Sequence, residues 1–414
     1  MPPPRPPRLV WPGKGRRPRL GPVALVERPD LGYRAAAGGL ADNRLVRGDN
    51  LLALETLREE FAGRVQCAYV DPPYNTGAGV AHYDDGLDPA AWLSFMRDRL
   101  VPLRDLLTET GVLFVSIDDE QAPYLKVLLD EVFGRGNACG PLVWEKKRKP
   151  SFLDPSLGRV TETILAYARR REAAPPFVGG ATTPGKKFPL NNAGNARRVL
   201  AFPAGSVAFG CPDQLFEPQD MSEGAVVTRL LDRLEVAGGT NAGPFRLEGE
   251  WRYSQETLDR LLASGERIVI RRAPFRPNHV RAGGEPKKLK NLLSAAHYDM
   301  ATYEDATEES RRLFGEAAAF AYPKPEALVA LLIGAVTEEG DWVLDCFAGS
   351  GTTGAVAHKL GRRWVMVEAG PQCDTHVVPR LRKVVDGADP GGVTAQAGWA
   401  GGGGFRYFVV EPGA

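Results

Sequence analysis

Cysteine is scarce in this chain, and none of its five cysteines (Cys67, Cys139, Cys211, Cys346 and Cys373) sits at C-x-x-C spacing from another. That pattern speaks against a zinc-ligand set and against a disulfide framework, so no metal is expected and the thiols read as reduced, in a cytoplasm. An excess of charge is missing too: 52 Lys and Arg face 51 Asp and Glu, for a net charge of +1. The molecule as a whole advertises no acidic partner, and any nucleic-acid signal must lie in local clusters. No apolar run is long enough to span a bilayer, and the basic N-terminus lacks the apolar core of a secretory signal. The G-K-[ST] ending of a phosphate-cradling P-loop is also absent. What is present is ordinary globular material: 414 residues, 43% hydrophobic and 25% charged, enough for one large domain and a smaller one.

One stretch organises the rest: Val70-Asp71-Pro72-Pro73-Tyr74-Asn75-Thr76-Gly77. It follows Cys67-Ala68-Tyr69-Val70, a short apolar run that reads as a buried strand. Asp71 therefore stands at a strand's carboxyl end, the edge where wound α/β sheets bind ligands. The prolines fix φ and remove two donors, so a carboxylate and a rigid carbonyl lie side by side. Such a pair of acceptors suits an exocyclic amino group, and Tyr74 offers a face for a base to stack on. A lone D-P-P is as readily a plain strand-end turn. The full D-P-P-Y-N-T-G resembles the signature of amino-methyltransferases that act on adenine N6 or cytosine N4.

Along the chain, Met1 to about Gly21 is rich in Pro and Arg (Arg5, Arg8, Lys14, Arg16, Arg17, Arg19) and reads as an extended arm. The arm either touches phosphates or merely solubilises. Order is expected from about Ala41. Arg44 to Arg47 reads as a strand, and Asp49 after it is either a helix N-cap or an acceptor for a nucleoside. A Gly-rich loop with Tyr83, Asp84 and Asp85 follows the first motif. Helices are expected over Trp92 to Leu107 and Leu125 to Phe133, with strands over Val112 to Ile117, Leu142 to Trp144 and Thr163 to Tyr167. Lys146, Lys147, Arg148 and Lys149 form a basic run that is either a solvated loop or a lip over DNA phosphates. From Ala173 to about Gly284 the alternation lapses into short β-like pieces. That segment closes on Arg271, Arg272, Arg276, His279, Arg281, Lys287, Lys288 and Lys290, the electrostatic footprint of a nucleic-acid face. Gly401 to Gly404 reads as a flexible link to a final strand-like run, Phe405 to Val410.

A second motif lies near the C-terminus. Trp342 to Cys346 reads as a strand, followed by Phe347-Ala348-Gly349-Ser350-Gly351-Thr352-Thr353-Gly354. Glycines there let a ligand approach the backbone, and Glu368, ending the next strand, is placed for a ribose diol. Together with D-P-P-Y, this turn points to S-adenosylmethionine, a nucleoside with a cationic sulfonium and no phosphates.

The order of the two motifs resembles the β-class of amino-methyltransferases, most closely the modification (Mod) subunits of type III restriction–modification systems. The likeness runs from about Asn43 to Cys373 and takes in Gly48-Asp49-Asn50, Trp92 to Met96, Ser116 to Asp119, Trp251 to Ser254 and Tyr322 to Pro325. It implies that Asp71, Pro72, Pro73 and Tyr74 are catalytic. It implies cofactor contacts by Asp49, Asn50, Asp71, Lys324, Phe347, Gly349, Ser350, Gly351, Thr352 and Glu368. DNA contacts would fall to Lys146, Lys147, Arg148, Lys149, Arg271, Arg272, Arg276, Lys287 and Lys288. The fold expected is α/β: a doubly wound, Rossmann-like, mostly parallel sheet with one antiparallel edge pair. Five segments follow: an arm (1–40), a catalytic half (41–172), an inserted target-recognition domain (173–300), a cofactor half (301–390) and a Gly-rich tail (391–414). The implied activity is methyl transfer from S-adenosylmethionine to N6 of a flipped-out adenine in double-stranded DNA. Implied partners are a second copy of the chain and a restriction subunit. Cytosine N4 is the nearest rival acceptor; Asp at position 71 leans to adenine. A non-catalytic DNA-binding specificity subunit of the same fold and an RNA substrate stand further off, and a Rossmann oxidoreductase leaves D-P-P-Y unexplained.

Overall fold

The computed structural model describes residues 7–76, 86–149 and 156–413. Arg5, Gly77 and the expected loop with Tyr83, Asp84 and Asp85 lie outside them. The chain divides into two compact units, Met1–Gly179 with Lys288–Ala414, and Gly180–Lys287.

The first unit is built on a ten-stranded sheet. Its strands are β1 (Val23–Glu27), β2 (Asn43–Arg47), β3 (Val65–Val70), β4 (Leu107–Ile117), β5 (Ala138–Glu145), β6 (Thr161–Ala168), β7 (Leu292–Leu293), β8 (Trp342–Asp345), β9 (Arg363–Glu368) and β10 (Phe405–Pro412). Their order across the sheet is β1-β10-β2-β9-β8-β3-β4-β6-β5-β7. The run β10-β2-β9-β8-β3-β4 is parallel throughout. The single antiparallel edge pair expected becomes more: β1 runs against β10, and β6 runs against both neighbours.

Strand β3 explains the layering. Its alternate residues serve opposite faces. Ala68 and Val70 join a core with Leu54, Leu57, Trp92, Met96 and Leu100, from helices α1 (Asn50–Phe61) and α2 (Pro89–Leu106). Cys67 and Tyr69 join the opposite core with Leu328, Leu332, Val356 and Leu381. Those four come from α5 (Glu326–Gly334), α6 (Thr352–Lys359) and α7 (Val378–Val385). Helices α3 (Ala122–Leu129) and α4 (Tyr303–Phe314) complete the unit's main helices. A strand buried on both faces is an unbroken apolar run, which is how Cys67 to Val70 reads.

The N-terminal reading is corrected. Order begins before Ala41: Trp11 is buried at 7% exposure, and its indole Nε1 donates to Ser94 Oγ at 2.8 Å. Arg97 holds the carbonyls of Lys14 and Arg16, and Lys14 pairs with Glu131 at 2.5 Å. One buried indole anchors a segment whose Pro and Arg content alone suggests a free arm. Gly401 to Gly404 is likewise packed: Gly404 N donates to Leu40 O at 3.0 Å, and a Cβ on it would meet Arg34 O at 2.1 Å. The glycines let the chain pass close to its own backbone before β10.

The second unit is narrower than the expected 173–300, since Leu292–Leu293 pairs with β5. It holds a seven-stranded and a four-stranded sheet. Its core gathers Leu200, Phe202, Phe245, Leu247, Trp251 and Phe275, with Phe202 and Phe245 stacked at 5.0 Å.

Candidate active site

Adjacent parallel strands carry the two motifs. β3 ends at Val70 and β8 at Asp345, and their pairing (Val343 with Cys67, Leu344 with Ala68) brings both turns to one sheet edge. Pro72 and Pro73 cannot continue the ladder, so the chain leaves the sheet after Asp71. The Trp92 indole donates to Pro73 O at 2.9 Å and fastens the turn to α2.

Asp71 is held from two sides. Lys324 Nζ donates to its Oδ2 at 2.7 Å. Tyr74 Oη lies 2.7 Å from Asp71 Oδ1 and 2.8 Å from Glu162 Oε1, so its one proton serves one of them at a time. Lys324 also reaches Tyr74 Oη at 2.9 Å and Glu162 Oε1 at 3.3 Å. Glu162, on β6, has a fully buried side chain; its Oε2 accepts from Tyr303 Oη at 2.9 Å and lies 3.6 Å from Lys146 Nζ. Burial works against the Lys324 charge, but Asp71 and Glu162 beside it win and raise its pKa well above that of an ordinary lysine. Burial, with the same two carboxylates, pushes the Tyr74 phenol well up.

The glycine turn is stiff. Asp345 Oδ1 accepts from Phe347 N at 2.9 Å, and Oδ2 from Thr353 Oγ1 at 2.5 Å. Burial raises the Asp345 carboxyl to about 7 despite those bonds. Gly349 and Gly351 have φ of 54° and 80°, a left-handed backbone open to glycine. Gly354 presses on β9, where a Cβ would meet Met366 Cε at 2.2 Å. These three glycines have G-x-G-x-x-G spacing, which dinucleotide-binding turns share. Glycine spacing alone therefore does not name the ligand, and Asp71 next door makes the difference.

Both motifs line one cavity of about 570 Å³. Of the residues the sequence singled out, the cavity gathers Asp71, Pro72, Pro73, Tyr74, Lys324, Phe347, Gly349, Ser350 and Thr352, together with Lys146 and Lys147. The N6/N4 methylase family model, described as DNA methylase, matches residues 65–375 and so takes in both motifs. The chain belongs to that family of DNA methylases.

Relatives extend the likeness. The chain is 29% identical over 414 residues to a probable type III restriction–modification enzyme, the HindVI Mod subunit of Haemophilus influenzae, covering 92% of this chain and 55% of that protein. It is 29% identical over 364 residues to the StyLTI Mod subunit of Salmonella typhimurium, covering 78% and 51%. It therefore spans about half the length of these two Mod subunits. With the type II methyltransferase M.EcaI of Enterobacter cloacae it shares 26% over 383 residues, 87% of this chain and 74% of that one. Among solved structures, the M1.HpyAVI–SAM complex superposes with a TM-score of 0.42 at 13% identity, over 82% of this chain and 98% of that chain.

Other expected residues sit differently. Asp49, Asn50, Gly351 and Glu368 are not part of the cavity lining. Asp49 caps α1 through Leu51 N and Leu52 N and pairs with Arg99 at 3.2 Å. Asn50 donates to Cys346 O at 2.7 Å, tying α1 to the second motif. Glu368 is 2% exposed, and its oxygens accept from Gly349 N (2.7 Å), Gly370 N (3.0 Å) and Gln372 Nε2 (2.7 Å). It fastens the glycine turn from within. Lys324, expected to contact the cofactor, lines the cavity and is paired with Asp71 at 2.7 Å. Arg148 pairs with Asp305 at 2.9 Å, and Lys149 is exposed. Arg271, Arg272, Lys287 and Lys288 are exposed, whereas Arg276 turns inward to Thr228 Oγ1 at 3.0 Å and Met221 O.

Sequence reasoning passed over Glu162 and Tyr303. The available signal was a lone carboxylate beside the apolar run Ile164 to Ala168, which burial obliges to find partners.

Proposed function

We propose that the protein methylates adenine N6 in double-stranded DNA, as the modification component of a restriction–modification system in a prokaryotic cytoplasm. The observation that carries this is Asp71 sharing a cavity with the glycine turn after β8. The lining suits S-adenosylmethionine: Phe347 and Phe320 offer rings for a purine, Asp345 offers a carboxyl for a cationic tail, and the volume is that of a small-molecule site. Phe347, Gly349, Ser350 and Thr352 would hold it, with Glu368 and Asn50 fixing the turn. When bound, it supplies a methyl group on a sulfonium.

The chain's own residues do the rest. An amino group conjugated with a purine ring is a poor nucleophile. Asp71 and the Pro72 carbonyl accept its two N–H bonds, which pyramidalises the nitrogen and aims its lone pair. Alignment of this kind supplies much of the rate. The Asp71 charge stabilises the positive charge that grows on nitrogen, and the surplus proton then passes from that nitrogen to solvent. The target base is flipped out of the stack, and the Tyr74 ring stacks on it. Unit 2 serves as the target-recognition domain, its exposed Arg271 and Arg272 positioning the DNA backbone while other side chains read base edges. The working form is a homodimer, with a restriction subunit as a further partner.

Labelled S-adenosylmethionine, mixed genomic DNA and nucleoside analysis test the reading. N6-methyladenine supports it; N4-methylcytosine moves the acceptor; DNA left unlabelled by protein that binds the cofactor ends it.

A further inference from the structure

Asp71 is not free in this structure. Its Oδ1 faces the Tyr74 hydroxyl and its Oδ2 the Lys324 ammonium, at 2.7 Å each. That arrangement conflicts with the role proposed above. An amino group arriving at Asp71 needs one of those oxygens, and an ammonium beside the reacting nitrogen opposes the positive charge that must grow there. Lys324 has to move, and a buried cation moves only to another anion.

Glu162 is that anion. Among the described residues, the ion pairs of Lys324 reach Asp71 and Glu162. The Glu162 side chain is fully buried on β6, an otherwise apolar strand over Ile164 to Ala168. It already lies 3.3 Å from Lys324 Nζ and 2.8 Å from Tyr74 Oη. Its second oxygen is kept in place by Tyr303 at 2.9 Å. A short displacement therefore transfers both Asp71 partners to a carboxylate that is already oriented.

We infer that Glu162 is a positioning residue that takes Lys324 and the Tyr74 hydroxyl from Asp71 as the target base enters, freeing the Asp71 carboxylate to accept from the acceptor amino group. This rests on the methyltransferase reading for its consequence, though not for its geometry. No bond is made or broken in the exchange; one ammonium and one hydroxyl change acceptors.

Charge and shape can be separated. Glu162→Gln keeps the size and loses the charge, while Glu162→Asp keeps the charge and shortens the side chain. Under the inference, Gln lowers the single-turnover methylation rate by at least about tenfold, and Asp retains more activity than Gln. S-adenosylmethionine affinity should stay within about twofold for both. A carboxylate that only fills and braces the core gives the opposite order, Gln above Asp, and that order overturns the inference. In a Lys324→Gln background there is no cation to move, so Glu162→Gln should then cost little; an undiminished loss there also overturns it. A second readout needs no turnover: adenosine 5′-monophosphate titrated into protein saturated with S-adenosylhomocysteine. Its affinity should rank wild type, then Asp, then Gln, and equal affinities overturn the inference. Wild-type protein that binds the nucleotide but methylates no DNA ends the methyltransferase reading, while the affinity ranking still decides this one.

Discussion

A carboxylate whose two oxygens face a phenol and an ammonium is oriented before any substrate arrives, and that is the state of Asp71. Asp71→Ala should cut methyl transfer by about a hundredfold or more while cofactor affinity changes little, measured by single turnover and calorimetry. Asp345 offers a pH test. Its carboxyl is raised to about 7, mainly by burial, from an ordinary 3.8. The unfolded chain loses this proton at lower pH than the folded one, so the group costs stability increasingly as pH rises from about 4 to 7. The half-buried Glu309 carboxyl, also raised to about 7, acts with the same sign. Asp345→Asn can keep an acceptor for Phe347 N and should flatten that part of the stability profile, seen as a smaller Tm loss between pH 5 and pH 8. A cationic ligand favours the charged form, so S-adenosylmethionine should bind wild type more tightly at pH 8 than at pH 6, with proton release, and Asp345→Asn should lose this dependence.

At the scale of elements, the strand-turn-helix around β8 is held by contacts that tolerate little added volume. Gly351, at φ 80°, starts α6, and a Cβ there would come 3.1 Å from Val377 Cγ1. Gly351→Ala should cost about 1 kcal/mol or more in denaturant unfolding and weaken cofactor binding as the turn shifts. The N-terminal segment is a separable case. Trp11 is buried against α2, and it is not part of the lining of the cavity that holds Asp71. Trp11→Ala should destabilise by about 3 kcal/mol and leave the methylation rate of folded protein nearly unchanged. A large loss of rate in folded Trp11→Ala would mean that the segment acts on the site.

For the whole molecule, a net charge of +1 leaves DNA affinity to exposed clusters. Replacing Arg271, Arg272, Lys287 and Lys288 with Gln should lower the slope of log affinity against log salt by up to about 3.6, since each phosphate contact contributes roughly 0.9. Arg276 differs, because it is bound to Thr228 and Met221 within its own unit. Arg276→Ala should lower unit 2 stability and leave that slope almost unchanged. Among the described residues no helix is long and apolar enough to cross a membrane.

The sequence by itself determined the alternation of strands and helices in the large unit and the location of its two motifs. Buried parallel strands need continuous apolar runs, and glycine turns need residues without a Cβ, so both are written locally. It also marked Asp71, Tyr74 and Gly349 as candidate site residues, because proline and glycine chemistry around them is local too, whereas Phe347 came from the family resemblance. Only the tertiary structure decided what those residues touch. Pairing β3 with β8 closed a gap of more than 270 positions, and β6 brought Glu162 to within 2.8 Å of the Tyr74 hydroxyl. It also showed Asp49 as a helix cap and Glu368 as a brace within the glycine turn, two roles that the same carboxylate at a strand end leaves open. Trp11 made the same point at the N-terminus, where one buried indole outweighs a composition of proline and arginine. Burial and partnership are properties of neighbours distant in the chain, and a sequence read in order does not contain them.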